Sequence, residues 1–153
     1  MRRRSSLSRS LGTSTSCTSQ PRRSSCHAVA DEVRAYGPGD PAARALAATP
    51  WLVVVEPVPV PESIAGWDLG AGESAVLAWA LANSPADAIL DDAEARRCAA
   101  THGLRVRGTV GIVLASKVAG RIPAARPVLE RLRQVGLWMS DELVAEATAL
   151  VDE

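Results

Sequence analysis

Glu32, Glu73 and Asp91 are the residues whose type and place in this chain could do chemistry. Each stands at or near an expected element boundary in an Ala/Val/Leu-rich body: Glu32 in a short helix, Glu73 opening a second, Asp91 closing an apolar strand. Carboxylates gathered where an α/β protein opens its crevice are the hard oxygen donors that a divalent cation takes. Like charges brought so close repel, and Mg²⁺ or Mn²⁺ would remove that penalty. Asp92, next in the chain, is either a fourth donor or the cap of the following helix. Taken singly, Glu73 also suits the positive end of a helix dipole, and Glu32 a solvated helix face.

The elements that must position these acids can be read from periodicity and capping signals. Ala28, Val29 and Val33, with Asp31, Glu32 and Arg34 opposite, make a short amphipathic helix that stops at Gly37-Pro38-Gly39. Asp40-Pro41 supplies an N-cap and a first-turn proline for a second helix through about Ala48. Trp51 to Val55 reads as a buried strand, followed by an extended connection through Pro57, Pro59 and Pro61. A helix then starts at Gly72-Glu73-Ser74, with Val76, Leu77, Ala80 and Leu81 facing a core. Asp87 to Leu90 is the next strand, Ala93 to Thr101 a helix with Arg96 and Arg97 outward, and Leu104 to Val106 a third strand. Gly108-Thr109 opens a helix from Val110 to about Val118, with Thr109 either its cap or a ligand to a bound group. Arg126-Pro127 and Ser140-Asp141 start the last two. Strands alternating with helices predict a mostly parallel sheet with helices on both faces, and right-handed crossovers carry Glu73 and Asp91 toward one sheet edge.

At 153 residues the chain is long enough for one domain with a single core, and 47% hydrophobic content without Phe fits an interior of small aliphatics. Net charge is zero but uneven. Six of the 17 basic residues, all arginines, precede Ala28, and no acid does, leaving 11 basic against 17 acidic residues in the body. An acidic body excludes nucleic-acid affinity from bulk charge, so binding would need a metal or a local basic strip. No apolar run reaches the roughly 18 residues of a membrane span. Cys17, Cys26 and Cys98 are an odd count with no C-x-x-C spacing, which fits a reducing, cytoplasmic setting. Cys98 and His102, four apart, could share a helix face, but a closed zinc site needs about four ligands, so a half-buried thiol and a surface imidazole are expected.

Residues 1–25 are Arg/Ser/Thr-rich and acid-free, and are expected to form a disordered leader ahead of a domain spanning 26–153. Similar composition occurs in transit peptides and in basic arms that touch phosphates. The abrupt change near His27 is what a shifted reading frame or a misassigned start would produce. Gly70-Ala71-Gly72-Glu73-Ser74-Ala75 fits a dinucleotide-binding pattern, but Ile64 to Asp68 is a poor strand to precede it, and Glu73 would face a pyrophosphate.

The run Gly72 to Ala78, then Ala88-Ile89-Leu90-Asp91-Asp92 with Arg96-Arg97, then Arg107 to Lys117 and Gly120-Arg121-Ile122-Pro123, resembles the small PIN-like proteins. More narrowly it resembles the prokaryotic nucleic-acid-binding proteins and toxin components of type II toxin–antitoxin pairs. Val128-Leu129-Glu130 through Leu143 is similar to the closing helices of that branch. The resemblance implies a three-layer α/β/α PIN-like fold with a short, mostly parallel sheet, and RNA hydrolysis with one or two Mg²⁺ or Mn²⁺ ions held by acids. Glu32, Glu73 and Asp91 then match the family's catalytic and metal-ligating acids, with Asp92 the neighbouring alternative. RNA and a cognate antitoxin are the implied partners, with a homodimer as a further association. Chains of this family begin with an apolar strand ending in Asp-Thr or Asp-Ser, and none stands ahead of His27, so the domain reads as N-terminally incomplete. That leaves two readings: a metal-dependent ribonuclease of the toxin type, or a non-catalytic module that binds RNA or a cognate antitoxin. Trp138, Met139 and Leu143 would line a partner groove in the second reading, though core burial is the expectation for them.

Overall fold

A computed structural model describes residues 23–153; the remainder of the 1–25 leader lies outside the described residues. The first element, β1 (Arg23–Cys26), pairs in parallel with β2 (Leu52–Val55), Arg23 opposite Leu52 and Cys26 opposite Val55. Positions 23–25 thus form a strand where leader is expected, because the valines of β2 supply the pairing that Arg-Ser-Ser lacks on its own. Between these strands lie α1 (His27–Ala35) and α2 (Pro41–Ala48). The Asp40 side chain caps α2 through Ala42 N–H at 2.7 Å and Ala43 N–H at 3.1 Å, as the Asp-Pro signal predicts.

After the proline-rich connection come α3 (Glu62–Ala65), one turn not expected from the sequence, and α4 (Ala71–Ala82). Strand β3 (Asp87–Ile89) pairs in parallel with β4 (Arg105–Arg107) around α5 (Ala93–Thr101). Three helices close the chain: α6 (Thr109–Val118), α7 (Arg126–Gln134) and α8 (Asp141–Ala149). The alternation, the parallel pairing and the mixed α/β class agree with the α/β/α expectation.

Among the described residues the strands form two two-stranded sheets rather than one. Helix α4 packs against both β1 and β3 and so spans the two pairs. Its buried face, Leu77, Ala78 and Ala80, joins Ile64, Ala88, Leu90, Ala95, Cys98 and Ala99 in one core. A second core, built from Val113, Ala125, Leu129, Met139, Val144 and Ala147, holds α6, α7 and α8 together. Six of the nine buried residues of the first core are alanine or cysteine, so its elements approach closely. Met139 is buried as expected, whereas Trp138 is 84% exposed and Leu143 41% exposed. The irregular segment after α7 leaves the indole in solvent, so core burial holds for Met139 and fails for Trp138 and Leu143.

Candidate functional site

Glu32, Glu73, Asp91 and Asp92 line a single cleft of about 300 Å³. Its apolar wall is Val29 from α1, Val76 from α4, and Ile89 and Leu90 from the β3 end. The fold therefore brings acids up to 60 positions apart in sequence (Glu32 and Asp92) into one concavity.

Each acid is held differently. Glu32 leans from α1 across to α4, where its Oε1 accepts the Gly72 N–H at 3.0 Å. That N–H belongs to the first turn of α4 and has no partner within its helix, so Glu32 acts as a remote cap. A Cβ on residue 72 would stand 2.8 Å from Glu32 Oε2, so a side chain there would push this carboxylate aside. Glu73, one residue on, folds back over Gly70, where a Cβ would collide with its carboxylate. Asp91 Oδ1 accepts the Thr109 N–H at 2.8 Å, and its Oδ2 accepts the Thr109 hydroxyl. Thr109 is the first residue of α6 rather than its cap, which is Gly108. Asp92 caps α5, its Oδ1 accepting the Ala95 N–H at 2.8 Å.

Oxygen ligands of this kind suit a hard cation, and Mg²⁺ is commonly held by one or two carboxylates with water and phosphate oxygens completing its shell. Among the described residues no three His, Cys, Asp or Glu side chains converge on one point. The donor set therefore fits a hydrated ion shared by two acids and does not form a closed cage. The Cys98 and His102 pair resolves in favour of structure. Cys98 is buried, which raises its thiol above the usual range, and His102 Nδ1 lies 2.9 Å from the Cys98 carbonyl while Nε2 meets Ser63 Oγ at 3.0 Å, tying α5 to α3. The Gly70 to Ala75 pattern is preceded by α3 and a turn, with no strand, so it lacks the context of a dinucleotide site.

One residue beside the site, Arg96, carries little sequence signal on its own. Arg96 reaches Gly108 from α5, its Nη1 standing 3.4 Å from where a Gly108 Cβ would be, with Asp91 Oδ1 3.2 Å from that same point. Arg97 instead pairs with Glu94 three positions earlier, a helical spacing that was available to read.

A protein-family model described as a PIN domain matches residues 24–153. Neither the curated proteins nor the solved structures contain a match to the chain. No described helix is long and apolar enough to cross a membrane. The chain therefore belongs to the PIN domain family, nuclease-like modules that generally use divalent metals and commonly bind nucleic acids.

Proposed function

We propose that this chain is a metal-dependent ribonuclease of the toxin type, acting in the cytoplasm and restrained by a cognate antitoxin. The observation that carries this reading is the shared cleft of Glu32, Glu73, Asp91 and Asp92, three elements contributing acids to one wall. Two of Glu32, Glu73 and Asp91, with Asp92 beside them, would hold Mg²⁺ or Mn²⁺ at a time, water and phosphate oxygens completing the shell. When bound, the ion supplies an activated water and stabilises the leaving oxygen of a phosphodiester.

The chain's own residues orient that chemistry. Gly72 fixes one oxygen of Glu32 and leaves Oε2 with no hydrogen bond from the described residues. Thr109 fixes the rotamer of Asp91 through two donors. Val29, Val76 and Ile89 give the cleft an apolar flank beside the acids.

The test is cleavage of single-stranded RNA by the full chain with Mg²⁺ or Mn²⁺, and its arrest by EDTA. Cleavage that persists in EDTA would overturn metal dependence. A second reading, a non-catalytic module binding RNA or an antitoxin, draws on the absence of three converging carboxylates among the described residues and on the engagement of both Asp91 oxygens by Thr109. Retention of RNA without turnover in the same assay favours it.

A further inference from the structure

We infer that Arg96 is a phosphate-binding residue at the rim of the acidic cleft, seating the RNA strand beside Asp91; the inference rests on the RNA reading above. A polyanion approaching four carboxylates meets repulsion unless a cation stands next to them. Arginines are available on α5 and β4, and most are committed elsewhere. Arg97 is paired with Glu94, and Arg105 and Arg107 are both paired with Asp87. Arg105 also donates to the Pro85 carbonyl at 2.9 Å. Arg96 has no ion pair and no side-chain hydrogen bond among the described residues, and it is exposed.

Gly108 leaves room for it. With no side chain at 108, the Arg96 guanidinium and the Asp91 carboxylate both come close to the same backbone point, at 3.4 and 3.2 Å from the would-be Cβ, without pairing to each other. A planar fork standing near the acid can receive two oxygens of one phosphate, a geometry that lysine does not reproduce. Arg96 therefore offsets the acidic wall at one place and sets which phosphate faces Asp91.

The experiment measures binding of a single-stranded RNA oligonucleotide, across a salt series, to the full chain carrying Asp91→Asn, which stops turnover in every arm. Adding Arg96→Ala should weaken binding roughly tenfold and lower the slope of log affinity against log salt by about 0.7, one phosphate contact on a single strand. Arg96→Lys should keep the slope and recover only part of the affinity, and Arg97→Ala should leave both within about twofold. RNA binding in which Arg96→Ala and Arg96→Lys match Arg97→Ala would overturn the role of Arg96 while leaving the RNA reading intact. No RNA binding by any arm or by the wild-type chain, even at low salt, would overturn the RNA reading and this inference with it.

Discussion

Asp91 and Thr109 join the end of β3 to the start of α6 through a two-point contact, carboxylate Oδ1 to backbone N–H at 2.8 Å and Oδ2 to the hydroxyl. The contact caps a helix from another element and ties the C-terminal helices to the α/β body. It also fixes the direction of the strand-end acid. Thr109→Val keeps the shape and the backbone donor but removes the hydroxyl. A hydrogen bond to a charged group in a solvated place contributes about 1 kcal/mol, so the melting temperature should fall by about 2–4 °C. An unchanged melting temperature would show that the hydroxyl contact carries no stability.

Glu32 has two tasks that two substitutions separate. Glu32→Gln keeps an oxygen for the Gly72 N–H, whereas Glu32→Ala leaves that N–H of α4 uncapped. Thermal denaturation should therefore show Glu32→Ala less stable by about 1–2 kcal/mol and Glu32→Gln near wild type. Titrating Mn²⁺ into the wild type should raise its melting temperature, since a cation bound only by the folded chain stabilises it by about 2.7 kcal/mol at a hundred times its Kd. Glu32→Gln should lose most of that response. Equal responses from the two chains would remove Glu32 from the ligand set.

Two glycines of the α6 region should respond oppositely to alanine. A Cβ at Gly108 would press on Asp91 Oδ1 at 3.2 Å, on Arg96 Nη1 at 3.4 Å and on the Leu90 carbonyl at 3.8 Å, and Asp91 is pinned by Thr109. At Gly111, inside α6, the same atom meets nothing within 4 Å. Gly108→Ala should destabilise by about 1 kcal/mol, and Gly111→Ala should stabilise by about 0.5–1 kcal/mol. Urea midpoints give both signs, and a stabilising Gly108→Ala would contradict the packing around Asp91.

The pH dependence of stability should carry a signature of Glu153. Its carboxylate accepts the N–H groups of Ala125 (2.8 and 3.0 Å) and Arg126 (3.1 Å) and meets Lys117 Nζ at 3.4 Å. The backbone donors of Arg126 and Ala125, with Lys117 third, hold its pKa below the ordinary glutamate range. A depressed folded-state pKa adds stability that is complete above the unfolded value, about 4.3, and is lost as pH falls through the folded value. Melting temperature measured from pH 6 to pH 3 should fall less steeply for Glu153→Gln than for wild type. Parallel curves would exclude this carboxylate as a source of acid sensitivity.

Much of the helical framework is legible in the residues, because caps and breakers are local. Asp40-Pro41, Asp92 and Ser140 each start the helix their chemistry announces. Strand β1 is not legible, since Arg-Ser-Ser-Cys has neither alternation nor bulk and is a strand only against Leu52–Val55. Leu104 to Val106 reads as the third strand and the pairing runs Arg105–Arg107, a one-residue shift set by the register against Asp87–Ile89. At the site, the acids were visible by type and boundary position. Their partners were not, because Glu32 to Gly72 spans 40 positions and Asp91 to Thr109 spans 18, and such contacts follow from packing rather than from spacing. The exposure of Trp138 was equally hidden, since an indole in a turn carries no periodicity.

The most direct measurement is cleavage of single-stranded RNA in Mn²⁺ by wild type and by Asp91→Asn at equal folded concentration. Asparagine keeps an acceptor for the Thr109 N–H and removes the charge, so a folded chain without cleavage is the expected result. Cleavage by Asp91→Asn at the wild-type rate would contradict the assignment of the acidic cleft as the site of reaction.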